Sequence, residues 1–209
     1  MPGQWGSAGG VQRRWGECAG AREVLACYSV KFGDGEGFEF VKGGKGGLGF
    51  QFGAARIQSG SWDPAAASQR AMWRRGGAGT GYLYYGSATQ GGDYSEQLPA
   101  YAEIAVSTGA AGHSLWQAGK VAGALPASPK GRWVRTCVYG RMNTPGGYDG
   151  LLGVSYDGEV RRYDTLAWVK TPTALDSTEF SVWFGGSDAS WSPTANQTIY
   201  FRDLVVSTR

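Results

Sequence analysis

From Val24 to Phe32 the chain reads VLACYSVKF, with apolar residues recurring at every second position. A period of two puts successive side chains on opposite faces of an extended strand, so this stretch predicts a strand with one buried face. The same reading predicts a short strand over FEFVK (38–42) that leads into GGKGGLGFQFG. It also predicts a hairpin from QRAMWR (69–74) and GYLYY (81–85), and a strand over GRWVRTCVYGRM (131–142). AYAEIAVST (100–108) fits a strand or a short helix. EFSVWFGG and TIYFRDLVVS supply two strands near the end of the sequence. Between these runs lie turns: GDGEG, NTPGGYDG, and Asp157-Gly158, which suits a type I′ hairpin. Such a succession, about nine to twelve short strands, predicts an all-β domain of two stacked antiparallel sheets. Residues 1–22 are expected to form an irregular entry segment, with room for one edge strand, and 1–209 a single domain.

Composition sharpens this picture. Thirty-six glycines, nine tryptophans and eleven tyrosines in 209 residues favour a turn-rich β architecture over a helical bundle. A net charge of +3 is too small to argue for nucleic acid. No apolar run approaches the ~18–20 residues of a membrane span, so no membrane partner is expected. The first residues lack the apolar middle of a signal peptide. The three cysteines, Cys18, Cys27 and Cys137, read by default as thiols, with Cys18–Cys27 and Cys27–Cys137 bridges as alternatives. With a single histidine and no Cys/His cluster, a zinc site is not expected.

The candidate chemistry lies in SQRAMWRRGGAGTGYLYY (68–85). Ser68, Arg70 and Arg74 alternate on one arm, and Tyr82 and Tyr84 on the other. A turn that pairs residue 74 near 82 would line both sets along one surface. Lys42 and Lys45 follow an earlier strand, and Arg141 and Asn143 end another. On a concave sheet these residues would make a groove with a cationic floor and phenolic walls. Arginine grips carboxylates in a planar fork, so the fitting ligand is an acidic polysaccharide. The plainer alternative is that the cations coat a solvent face. No pair of acidic residues suggests glycoside hydrolysis, since Asp149, Asp157 and Asp164 read as turn or hairpin residues. His113 falls in an expected loop without a titrating neighbour. Asp203 is a lone carboxylate, so a structural Ca²⁺ rests on weak ground and no cofactor is expected to be required. Trp133, Trp168, Trp183 and Trp191 read as packing residues.

The segments YSVKFGDGEGFEFVKGGKGGLGF, SQRAMWRRGGAGTGYLYY, GRWVRTCVYGRMNTPGGYDGLLGVSYDGE and FSVWFGGSDASWSPTANQTIYFRDLVV, in that order, resemble polysaccharide lyase family 14 and its relatives in family 20. The resemblance implies a β-jelly roll that cleaves polyuronates, alginate or glucuronan, by β-elimination. It also implies a catalytic set of Lys45 (or its neighbour Lys42), Ser68, Arg70, Tyr82 and Tyr84. Lys42, Arg74, Arg141 and Asn143 are then expected to bind substrate. Within that set, Arg70 would neutralise the uronate carboxylate and a tyrosine would act as base or acid. Lys45 would be its partner or a carboxylate clamp, and Ser68 would orient a neighbour. After Lys45 the sequence departs from the family's usual LPGL. The alternative it leaves open is a non-catalytic carbohydrate-binding jelly roll. The activity implied by the resemblance favours an extracellular setting, and a monomer is expected.

Overall fold

In the computed structural model, two sheets face each other across an aromatic core. The structure describes residues 10–54, 65–85, 101–103, 113–114, 128–166, 168–169, 171, 173–185 and 188–209; the side chains of 80, 83–85, 101–103, 113–114 and 163–165 lie outside that description. The strands are β1 (Val11–Trp15), β2 (Glu23–Phe32), β3 (Gly43–Phe52), β4 (Ala67–Arg74), β5 (Gly79–Tyr85) and β6 (Tyr101–Glu103). They continue with β7 (His113–Ser114), β8 (Trp133–Arg141), β9 (Gly150–Tyr156), β10 (Glu159–Leu166), β11 (Leu175–Phe184) and β12 (Ile199–Thr208). The seven-stranded sheet runs β1-β11-β3-β4-β5-β6-β7 and the five-stranded sheet β10-β9-β8-β2-β12. All neighbouring pairs are antiparallel except β6 and β7.

Alternation decides which face is buried. On β2, Val24, Ala26, Tyr28, Val30 and Phe32 are buried, and on β8 so are Val134, Thr136 and Val138. Leu48, Phe50 and Phe52 of β3 and Trp73 of β4 meet them from the other sheet. Trp73 stands edge-on to Phe32 and Phe184, with ring centroids 5.4 and 5.6 Å apart, a favoured aromatic geometry.

Residues 38–42 depart from expectation: they form no strand. The Glu39 amide donates to the side chain of Gln197 at 3.0 Å instead of to a ladder, while Phe38 and Phe40 plug the core against Phe32. The glycine-rich run after them is the strand, and a central one. Its lack of side chains is the reason, because the two layers touch there. A Cβ on Gly47, whose φ is +137°, would sit 2.2 Å from the Tyr28 ring.

The hairpin of β4 and β5 forms in a tighter register than 74 opposite 82. The Arg74 amide donates to the Ala78 carbonyl at 2.8 Å, Arg70 stands opposite Tyr82, and Ser68 stands opposite Tyr84. Both registers keep even-numbered residues together, so the shared face survives the shift. Asp157 and Gly158 both take positive φ, +51° and +87°, as a type I′ turn requires. The entry segment does carry an edge strand, β1, paired with β11. His113 lies in the two-residue β7, not in a loop. Cys27 and Cys137 stand opposite each other on β2 and β8 and are joined by a disulfide, which leaves Cys18 as a free thiol. The default reading as thiols is thereby corrected for two of the three.

Candidate active site

On β4 the alternation is sharp. Gln69, Ala71 and Trp73 turn towards the five-stranded sheet, where the Gln69 amide donates to the Gly153 carbonyl at 2.7 Å. Ser68, Arg70, Met72 and Arg74 therefore take the opposite face, and all four are buried. Neighbouring strands bring more groups to that face. Lys45 on β3 stands opposite Met72 of β4 and Trp183 of β11, and Gly49 stands opposite both Arg70 and Glu179. Between Lys45 and Gly49, β3 spends four residues where β4 spends two, a bulge that re-aims the lysine.

Gly49 is what lets Arg70 work across a strand. A Cβ there would lie 3.0 Å from Arg70 Cγ and 2.5 Å from the Gln69 carbonyl. With none present, the guanidinium passes over β3, and its Nε donates to Glu179 Oε1 on β11. Its Nη1 donates to Ser68 Oγ at 3.0 Å. Glu179 is 1% exposed and has further partners: Arg14 Nε at 3.2 Å, Ser181 Oγ at 3.1 Å and Gln12 Nε2 at 3.4 Å. Burial raises the pKa of this carboxyl, but Arg70, Arg14 and Ser181 outweigh burial and hold it below the ordinary glutamate value.

Lys45 sits between two rings, its Nζ 5.3 Å from the centroid of Tyr82 and 5.1 Å from that of Trp183. The Arg74 guanidinium approaches the same Tyr82 ring at 5.6 Å. Desolvation, with Arg70 and Arg74 beside it, lowers the pKa of Lys45 to about 7, against an opposing upward pull from Glu179. At neutral pH this amine is divided between its charged and neutral forms, so it can both take and give a proton.

The structure thus brings together Lys45, Ser68, Arg70, Arg74 and Tyr82. Tyr84 holds the register position opposite Ser68, and its side chain lies outside the described residues. Lys42 lies just before β3, where its ammonium donates to Ser190 Oγ and sits 5.5 Å from the Trp191 ring centroid. Arg141 and Asn143 are elsewhere, which corrects their expected place beside the other cations. Arg141 belongs to the outer face of β8 in the five-stranded sheet and donates to the Asp149 carbonyl at 3.0 Å. Asn143 is a buried latch: its Oδ1 accepts from the Trp168 amide at 2.9 Å, and its Nδ2 donates to the Val169 carbonyl at 3.2 Å.

Glu179 and Arg14 escaped the sequence reading, and Trp183, read there as a packing residue, faces Lys45. Their signal is present in EFSVWF, where Glu179, Ser181 and Trp183 alternate with apolar residues. Trp168, by contrast, is the core residue it was expected to be. Among the described residues no group of three His, Cys, Asp or Glu could hold a metal ion, Asp203 included. No helix among them is long and apolar enough to cross a membrane.

A two-layer β fold that packs two guanidiniums, an amine of lowered pKa and a phenol on one sheet face has the donors that suit an anionic ligand. The comparisons place it more closely. The family model Polysaccharide lyase 14 matches residues 8–204, and the chain belongs to that family of enzymes. Its fold is shared with a mutant of alginate lyase Aly36B in complex with alginate trisaccharide, at a TM-score of 0.76 and 22% identity over 100% of this chain and 79% of that one. It is likewise similar to the marine family-14 alginate lyase of Aplysia kurodai, with TM-score 0.63 and 25% identity over 90% and 70% of the two chains. The endo-beta-1,4-glucuronan lyase of the fungus Trichoderma reesei matches at TM-score 0.55 and 11% identity, over 100% and 78%. The shared architecture is a β-jelly roll. No curated protein matches the chain by sequence.

Proposed function

We propose that this polysaccharide lyase cuts a polyuronate, alginate or glucuronan, by β-elimination with Lys45 as its principal proton-transfer group. The observation that carries this reading is the half-buried Lys45 amine, with a pKa of about 7, beside Arg70 and Arg74 and between the Tyr82 and Trp183 rings. Removing the C5 hydrogen of a uronate is hard because the neighbouring carboxylate is already negative. Arg70 and Arg74 offset that charge, so the electrons of the C5–H bond can delocalise onto the carboxylate. The neutral Lys45 amine takes the proton. The C4–C5 double bond then forms as the C4–O4 bond breaks, and the departing O4 receives a proton from Tyr82, Tyr84 or the Lys45 ammonium. Ser68 steadies Arg70 through its hydroxyl. This reading moves the base from a tyrosine to Lys45, because a free phenol titrates near ~10 and a free lysine near ~10.4, and burial brings only an amine's value down.

The likeness to alginate and glucuronan lyases supports the substrate class. The Cys27–Cys137 bridge suits an oxidising, extracellular setting. Incubation with polymannuronate, polyguluronate and glucuronan, followed by the ultraviolet absorbance of the new unsaturated ends, tests the proposal. A rise is expected on at least one polymer. Folded protein that binds all three without producing unsaturated ends would be a carbohydrate-binding module instead.

A further inference from the structure

A buried carboxylate is an odd neighbour for a site that must accept an anionic sugar. Glu179 lies on β11, one strand beyond Lys45 and two beyond Arg70, and it reaches them only because Gly49 leaves the space between open. Its two oxygens engage Arg70, Arg14, Ser181 and, more distantly, Gln12, so little of its charge is left to repel a ligand. We propose that Glu179, backed by Arg14 on β1, is a positioning residue of the lyase that fixes the plane of the Arg70 guanidinium and balances the charge around Lys45. The proposal rests on the lyase reading of this same face.

Two consequences separate positioning from simple bracing. The first is geometric. With Nε held by Glu179 and Nη1 by Ser68, the Arg70 guanidinium cannot rotate about its long axis, and a planar fork binds a carboxylate only when its plane is right. The second is electrostatic. The charged and titratable groups around the Lys45 amine are Arg70 and Arg74 from β4, Tyr82 from β5 and Glu179 from β11, with Arg14 from β1 behind Glu179. Among the described residues, Glu179 is the one anion of this group. It favours the ammonium, and without it three cations would crowd together and the amine would lose its proton at lower pH.

The experiment compares Glu179→Gln, Glu179→Asp and Arg14→Gln with the unaltered enzyme, all checked for folding by circular dichroism. Lys45 is titrated without substrate, by pH-dependent acylation of its amine read by mass spectrometry, and kcat and KM are measured across pH on whichever polyuronate is cleaved. Glu179→Gln is expected to move the Lys45 midpoint and the acid limb of kcat/KM to lower pH together, and to cut kcat about tenfold to a hundredfold. Glu179→Asp keeps the charge but shortens the reach, so kcat falls while the midpoint stays. Arg14→Gln removes a cation, so the midpoint moves up, by less. An unmoved Lys45 midpoint in folded Glu179→Gln overturns the proposal. Should that variant fail to fold, full kcat in Glu179→Asp together with an unmoved midpoint in Arg14→Gln overturns it equally. The acylation titration needs no turnover, so an enzyme that cleaves none of the polymers would sink the lyase reading while the charge balance is still decided.

Discussion

The outer faces of the two sheets carry the same kinds of residue to different ends. On the five-stranded sheet, Arg202 lies 4.2 Å from the Trp133 ring centroid and Lys31 4.4 Å from that of Tyr200. On the seven-stranded sheet, Lys45 and Arg74 approach Tyr82 in a similar way. The distinction is burial and charge balance. Arg202 and Lys31 each have an exposed carboxylate at hand, Asp203 at 3.3 Å and Asp34 at 2.7 Å, and water screens both pairs. Arg70 and Glu179 are 3% and 1% exposed, and among the described residues Glu179 is the buried anion beside the cations Lys45, Arg70 and Arg74. A cation over a ring is common surface furniture. Buried guanidiniums beside an amine of lowered pKa have their own chemistry.

The largest break in this comparison comes from Lys45→Met. Turnover should fall by roughly two to four orders of magnitude, the range for losing a positioned acid or base, whereas Lys31→Met on the other face leaves it intact. Stability should move the other way. The folded pKa of Lys45, about 7, lies below the unfolded value of ~10.4, so between those values the unfolded chain holds a proton that the folded one has released. Wild-type stability therefore rises with pH across that window, and well below pH 7 it bears the full cost of the half-buried charge. Lys45→Met should be more stable than the parent by roughly 1–3 kcal/mol at pH 7, with the gain fading as pH approaches ~10. Urea titrations at several pH values measure it, and a pH-independent difference would show that Lys45 is not desolvated.

Arg70→Ala should cost activity and stability together. It leaves Glu179 buried with Arg14 as its remaining ion-pair partner among the described residues, and breaking a buried pair by removing one partner costs about 3–5 kcal/mol. The same network makes acid a selective stress. The folded pKa of Glu179 is depressed, so its contribution is complete above the ordinary value and lost as pH falls through the lower folded value. Thermal melts from pH 6 down to pH 3 should decline more steeply for wild type than for Glu179→Gln, whose network has no carboxylate to protonate.

These contrasts also show what the sequence made legible. Strands such as Val24–Phe32 could be read because one face is buried and the period is two. The Ser68, Arg70, Tyr82 and Tyr84 face could be read because parity survives a shift of register. The strand Gly43–Phe52 was hidden since glycines carry no pattern, although their absence of side chains is what admits Tyr28 and Arg70. Glu179 was hidden because its partner Arg70 is 109 residues away and meets it across an intervening strand. Arg141 and Asn143 were misplaced for a related reason: alternation says which residues share a face, and topology alone says which sheet that face belongs to.

A smaller effect on turnover is expected from reducing the Cys27–Cys137 bridge. It closes a loop of 110 residues on the sheet opposite the site, and loop entropy puts its contribution at about 4–5 kcal/mol, which is an upper figure because the bridged strands already pair in register. The Cys27→Ala/Cys137→Ala protein should melt lower than the parent and keep its kcat at temperatures where both are folded. Lost kcat in a folded double variant would mean that the two sheets are not energetically separable.

Arg202→Ala is the smallest and sharpens the comparison from the other side. Its guanidinium is more than half exposed, and its contact with Trp133 is worth roughly 0.5–1 kcal/mol at such a site. Turnover should stay within about twofold of wild type, and the loss of stability should shrink as salt screens the Asp203 partner. Trp133 would then stand with one ring face uncovered on the five-stranded sheet. If that variant lost polymer affinity in proportion to Arg70→Ala, the two faces would be engaging the same chain, and burial would not be what separates a site from a surface in this fold.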